Sequence, residues 1–283
     1  MTVSNSEFTI HFILKKRKNK TLNLIPIFDK INSTKMIRTY PNVYKNINVF
    51  LLLTSLLLNT SCKISKNNSS KWETIFNGVN LNGWTIEGID NYTSNNFWKI
   101  KNQYIQCITN GNRNHSGSWL VYNKELEDFE LKFKFKSNHS LQGNSGVQLR
   151  SSLDLSNNKM QGPQIDIHPP KPFRTGLLYD ETDGVKHWLF PLTKSWRLED
   201  YPLKKDWNYD QNGWNELYIK CIGTKIITEL NGITITNYNG KGVLDDTLHQ
   251  EKGVGLKGLI AFQLHKKHDI DIAFKDIQLK ILK

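Results

Sequence analysis

From residue 72 to the C-terminus, apolar and polar positions alternate in short runs, and turn-forming residues break the runs apart. A period of two puts successive side chains on opposite faces of an extended chain, so each run predicts a strand. The clearest is 129–136 (FELKFKFK), where Phe129, Leu131, Phe133 and Phe135 lie opposite Glu130, Lys132, Lys134 and Lys136. Further strands are expected at 97–100, 104–108, 119–122, 214–222 and 225–230. Asn77-Gly78 and Asn82-Gly83 mark tight turns, Lys101-Asn102 a hairpin, and Asn231-Gly232 before ITIT a type I′ hairpin. In the last segment Ile270, Ile272 and Phe274 are in phase before the pattern slips to Ile277, Leu279 and Ile281, which predicts a bulge near Lys275 and Asp276. No long amphipathic helix appears. The expectation is an all-β, two-sheet sandwich.

The polar faces are not equivalent. That of 129–136 is glutamate and lysine, an ordinary solvated surface. In NSGVQLRS, Val147 and Leu149 oppose Asn144, Gly146, Gln148 and Arg150; in GPQIDIH, Ile165 and Ile167 oppose Gln164, Asp166 and His168; in LIAFQLH, Ile260, Phe262 and Leu264 oppose Leu259, Ala261, Gln263 and His265. Three strands thus carry hydrogen-bonding, mostly uncharged groups backed by an apolar face. Tyr179, Trp188 and Phe190 follow the second of them closely. A carboxylate set among amides and flat rings suits a sugar-binding cleft, with a merely solvated face as the alternative.

The N-terminus reads as an address. Residues 47–58 (INVFLLLTSLLL) form a mostly apolar run, too short to span a bilayer, with Arg38 and Lys45 as a basic flank and Cys62 just after Thr60 and Ser61. This pattern is similar to a bacterial lipobox and predicts lipidation of Cys62, with ordinary cleavage as the alternative. The expected organisation is residues 1–35 outside the protein, with translation starting at Met36, then a signal peptide at 36–62, a polar linker at 63–71 and a domain at 72–283. The lipid-anchored domain would face the periplasm or cell surface. The net charge of +12 drops to +5 once residues 1–62, with nine Lys or Arg against Glu7 and Asp29, are set aside. No basic stripe remains, which argues against a nucleic-acid partner. Cys107 and Cys221 lie in strand-like stretches and read as two buried thiols.

Esterase elbow, glycine-rich phosphate loop, HExxH and paired CxxC motifs are all missing. His168, His187, His265 and His268 could join Asp166 around a divalent metal, but scattered strand histidines more often line clefts, and no cofactor is expected.

Taken together, WETIFNGVNLNGW, NSGVQLRS, GPQIDIH, TGLLYDE, GWNELYIKCIG, the ELNG hairpin, LIAFQLH and IAFKDIQLKIL resemble the 3-keto-disaccharide hydrolase family, over about residues 72–282. Where many members carry Glu-x-Gln-Ile-x-Asp, this chain is similar to a branch with Gly-x-Gln-x-acid followed by Thr-Gly-x-x-Tyr-Asp-Glu. The resemblance implies a concanavalin A-like jelly roll whose inner sheet forms a sugar groove, and an exported bacterial enzyme acting on glycosides oxidised at C3, with a sugar 3-dehydrogenase as functional partner. A ketone at C3 acidifies the C2 proton; its removal, β-elimination at C1 and hydration amount to hydrolysis. Such chemistry needs a base near C2, a donor on the C3 oxygen and an acid for the leaving oxygen. Asp166 or His168 is the expected base, Arg150 or Gln164 the enolate donor, and Glu181 or His265 the acid. Asn144, Gln148, Tyr179, Trp188 and Gln263 are expected to bind substrate. The competing readings are a direct glycosidase with Asp166 and Glu181 as its carboxylate pair, and a non-catalytic carbohydrate-binding lipoprotein.

Overall fold

The computed structural model describes residues 71–88, 96–141, 143–168, 173–193, 198 and 208–283. The expected signal peptide and Cys62 lie outside the described residues, as does all of the linker except Lys71. In chain order the strands are β1 (Glu73–Thr74), β2 (Trp84–Glu87), β3 (Trp98–Lys101), β4 (Tyr104–Ile108), β5 (Ser118–Tyr122), β6 (Phe129–Ser137), β7 (Ser145–Asp154), β8 (Lys159–Gln161), β9 (Pro163–Ile167), β10 (Leu178–Asp180), β11 (His187–Phe190), β12 (Asn215–Ile222), β13 (Lys225–Leu230), β14 (Ile233–Asn239), β15 (Leu259–Leu264) and β16 (Asp271–Ile281). A short helix, α1 (Thr247–Lys252), precedes β15.

The strands form two antiparallel sheets. One runs β14-β13-β12-β6-β16-β4-β3 with β1 added to β16; the other runs β11-β10-β9-β7-β15-β5-β2 with β8 added to β7. The fold is the all-β sandwich the alternation predicts. Its core lies where the two apolar faces meet: Leu131, Phe133, Phe135 and Phe274 from the first sheet against Val147, Ile165, Leu120 and Phe262 from the second, all at most 1 % exposed. Phe262 stacks on Phe274 at 4.3 Å between ring centroids, with Phe133 edge-on to Phe262 at 5.1 Å. Cys107 and Cys221 are both buried free thiols, as expected.

Turn chemistry follows the sequence closely. Leu230 pairs with Ile233 across Asn231 and Gly232, whose φ values of 49° and 81° are those of a type I′ turn. The first hairpin turns one residue later than expected, at Asn102 and Gln103, because Lys101 pairs with Tyr104. The slip in the last strand is a bulge: the β16–β6 register shifts between Lys275 and Gln278, and Asp276 has a φ of 52°.

Helix α1 is fixed at both ends. Asp246 caps its N-terminus, accepting from the His249 N–H, and Gly253 closes it in the left-handed conformation. The same helix carries the buried His249 to β10, where His249 Nε2 lies 2.8 Å from Asp180 Oδ2; its Nδ1 is 2.8 Å from Asp246 Oδ1. Because side chains alternate along β10, Asp180 points away from the side that carries Tyr179.

Candidate active site

The outer face of the second sheet, remote from the core, holds the polar residues that alternation sets apart. Registers of Gly146 with Asp166, Gln148 with Gln164 and Tyr179 with Gln164 align β7, β9 and β10 there. A relay of hydrogen bonds crosses the strands: Ser151 Oγ donates to Gln148 Oε1 (3.1 Å), Gln148 Nε2 to Gln164 Oε1 (2.7 Å), and Gln164 Nε2 to Asp166 Oδ1 (3.5 Å). The Gln164 amide lies over Gly146, where a Cβ would come within 2.6 Å of its Cδ, so a side chain at 146 would displace the relay.

Asp166 sits in a pocket of about 220 Å³. Asn144 and Gln164 stand beside it, Tyr179 and Trp188 form an aromatic wall, and Glu181, His265 and His268 complete the lining with Arg174. The Tyr179 and Trp188 rings meet edge-on at 5.1 Å, and the Arg174 guanidinium lies 5.6 Å from the Trp188 ring centre.

The carboxyls and imidazoles here are shifted in opposite directions. Asp166 is 2 % exposed; burial pushes its carboxyl up to about 6, against the attraction of Arg174 and hydrogen bonds from Asn144 and Gln164. Arg174 Nε is 3.1 Å from Asp166 Oδ2, yet neither atom has a hydrogen bond of good geometry. Burial, then Asp166 and Asp180, push Glu181 up to about 7, with Lys186 and Lys266 opposing. The imidazoles move the other way. Burial lowers His265, helped by the charge of Lys266, and brings His268 down to about 4, helped by His265 and His168. His268 Nδ1 accepts the Asn144 backbone N–H at 2.9 Å. His265 Nδ1 faces the Lys266 carbonyl at 3.0 Å and must donate to it, which leaves Nε2 as the lone-pair nitrogen of the neutral ring.

The structure brings Asn144, Gln164, Asp166, Tyr179, Glu181, Trp188 and His265 into one pocket. Gln148 and Gln263 line an adjoining hollow, and His168 is a buried residue immediately after β9. Arg150 requires correction. Its φ of 46°, at a bulge where Ser151 pairs with Leu259 and Gln148 with Ala261, breaks the alternation. The side chain is fully buried, bonding the carbonyls of Glu127, Gly223 and Gly255 and the Asp128 carboxylate. It is therefore a structural anchor away from the groove. The guanidinium in the pocket is that of Arg174, which follows β9 in PFRTG and has no alternation pattern to reveal it. His187 points a ring nitrogen at the Trp188 carbonyl, outside the pocket lining. Among the described residues no three His, Cys, Asp or Glu side chains gather as a metal site.

The family model of the 3-keto-alpha-glucoside-1,2-lyase-like domain matches residues 71–280. No curated protein matches the chain. Similar solved structures include two candidate glycosyl hydrolases of Parabacteroides distasonis. One is 20 % identical with a TM-score of 0.49, over 75 % of this chain and 100 % of that one. The other is 14 % identical with a TM-score of 0.49, over 76 % and 96 %. A Bacillus subtilis protein of unknown function with a galectin-like fold is 9 % identical with a TM-score of 0.43, over 74 % and 94 %.

Proposed function

Because the chain belongs to the 3-keto-alpha-glucoside-1,2-lyase-like domain family, we propose that it is a carbohydrate-active enzyme that cleaves 3-keto-α-glucosides by elimination across C1 and C2. The observation that carries this reading is the pairing, in one pocket, of a neutral imidazole at His265 with a carboxyl at Glu181 that titrates at about 7. Groups whose surroundings drive their protonation states apart divide into base and acid. His265 Nε2 takes the C2 proton, made acidic by the neighbouring ketone. The C–H electrons form the enolate and then the C1=C2 bond as the C1–O bond breaks. Glu181 gives its proton to the departing oxygen.

In an α-glucoside chair the C2 hydrogen and the C1 oxygen are trans-diaxial, so base and acid must act from opposite faces of the ring. Arg174, which partners Asp166 on the same wall, supplies donors for the enolate oxygen. Asp166 then serves to hold Arg174, a different role from the base expected from sequence. The Tyr179 and Trp188 rings give the sugar an apolar face to lie on. Water adds hydroxyl to C1 and a proton to C2 of the enone, making the net reaction hydrolysis. A two-carboxylate glycosidase fits the same site less well, because the carboxylate that would be its nucleophile, Asp166, is engaged with Arg174 at 3.1 Å.

The ketone calls for an oxidising enzyme upstream, a sugar 3-dehydrogenase, and the apolar run ending near Cys62 supports reading the enzyme as a lipoprotein of the cell envelope. The test is to incubate the protein in deuterated water with a 3-keto-α-glucoside and with its unoxidised parent. The expected result is release of the leaving group from the ketone alone, with deuterium at C2 of the product. Cleavage of the parent at a comparable rate, or product without C2 deuterium, would overturn the mechanism.

A further inference from the structure

Beside the pocket of Asp166 lies a second hollow of about 180 Å³, and Glu181 and His265 line both. Trp119 and Met160 belong to its lining and to a small apolar cluster with Val121 and Ala261, separate from the core between the sheets. Two polar atoms of residues in this lining are buried without a hydrogen-bond partner: the indole Nε1 of Trp119, 6 % exposed, and Oε1 of Gln263, 6 % exposed. Buried polar groups are nearly always satisfied, so an unmatched donor and acceptor together point to a site for a polar ligand. The lining also includes Lys159, Lys186 and Lys266. Lys159 and Lys186 both bond Asp183, and among the described residues Lys266 makes no salt bridge. Three ammonium groups and an indole N–H are all donors; Asp183 serves two of the lysines, and Glu181 is the one carboxyl in the lining.

We propose that this hollow is the leaving-group subsite and that it selects a leaving sugar bearing an anionic oxyacid group, a carboxylate or a sulfate ester. The assignment rests on the reading that the neighbouring pocket holds the reacting 3-keto ring. The anionic oxygens accept from the indole N–H and the lysines, a charge-assisted arrangement that a neutral sugar cannot reproduce, and a sugar hydroxyl donates to Gln263 Oε1. The placement has a chemical consequence. An anion bound beside Glu181 offsets Lys186 and Lys266, the two cations that favour its ionised form, and so keeps the departing oxygen's proton in place.

Binding can be tested without the ketone. The full chain labelled with ¹⁵N is titrated with D-glucuronate, D-glucose 6-sulfate and D-glucose, and the Trp119 indole N–H resonance is identified by its loss in Trp119→Phe. The anionic sugars are expected to move that resonance and to bind about tenfold more tightly than glucose, as one charge-assisted hydrogen bond allows. In Lys266→Ala the preference should fall to about threefold or less. The tighter of the two anions assigns carboxylate or sulfate. Equal affinity for glucose, or anion binding that leaves the Trp119 resonance unmoved, overturns the subsite. If 3-keto-glucosides turn over without any anion preference, the subsite is wrong and the reaction stands; if anions bind at Trp119 but no keto-glucoside turns over, the reaction is wrong and the anion site stands.

Discussion

Replacing Glu181 with glutamine tests the acid assignment through stability as well as turnover. The side chain titrates at 4.5 in an unperturbed setting and at about 7 here, chiefly because burial disfavours its ionised form. Between those values the folded protein holds more protons than the unfolded chain, so stability falls as pH rises. The penalty is nearly absent below the unfolded value and complete above the folded one. With each pKa unit equivalent to about 1.4 kcal/mol, the shift costs the wild type on the order of 2 to 3 kcal/mol between pH 5 and pH 8. Glu181→Gln removes that dependence while nearly keeping the shape. Urea unfolding of wild type and variant at both pH values isolates the effect, because every other titrating group is common to the two chains. The variant is expected to gain on the order of 2 to 3 kcal/mol on the wild type on going from pH 5 to pH 8. Turnover of a 3-keto-glucoside with a poor alkoxide leaving group should drop by about 10² to 10⁴, and much less with a nitrophenolate, which departs without a proton. An unchanged pH dependence of the stability difference would refute the raised pKa. Equal losses for both leaving groups would refute the acid role.

Arg150→Leu should lower stability by about 3 to 5 kcal/mol in urea unfolding, since it strands the Asp128 carboxylate and three carbonyls, whereas a groove residue would affect binding first. His249→Asn should cost on the order of 3 kcal/mol at pH 6 by leaving Asp180 buried without its cation. Burial lowers His249, but the hydrogen bonds its ring donates to Asp180 and Asp246 outweigh it and raise the imidazole, so its contribution is full below pH 6.5 and lost as pH rises through the folded value; denaturation across that range should show the wild-type advantage shrinking. Cys62→Ala should move the protein from the membrane fraction to the soluble one if the cysteine is lipidated, as fractionation and immunoblotting would register.

Alternation by itself determined much of this protein. The face of Phe129, Leu131, Phe133 and Phe135, the Asn231-Gly232 hairpin and the slip at Lys275 and Asp276 are local properties of the chain, set by side-chain period and turn chemistry, and they read directly from residue order. The amide and carboxylate face of Gln164 and Asp166 was visible for the same reason. Arg150 shows where that logic stops. A single positive φ at a bulge rotates one side chain off the face that its neighbours define, and the pairing partner that demands the bulge lies more than a hundred residues away. Arg174 follows β9 without any periodic neighbour, so only the packed structure brings its guanidinium to Asp166. The pairing of Glu181 with His265, the buried contact of His249 with Asp180, and the second hollow around Trp119 and Met160 likewise depend on which distant strands become neighbours. Those adjacencies come from the register of long-range strand pairs and from burial, and burial is also what pushes the carboxyls up and the imidazoles down.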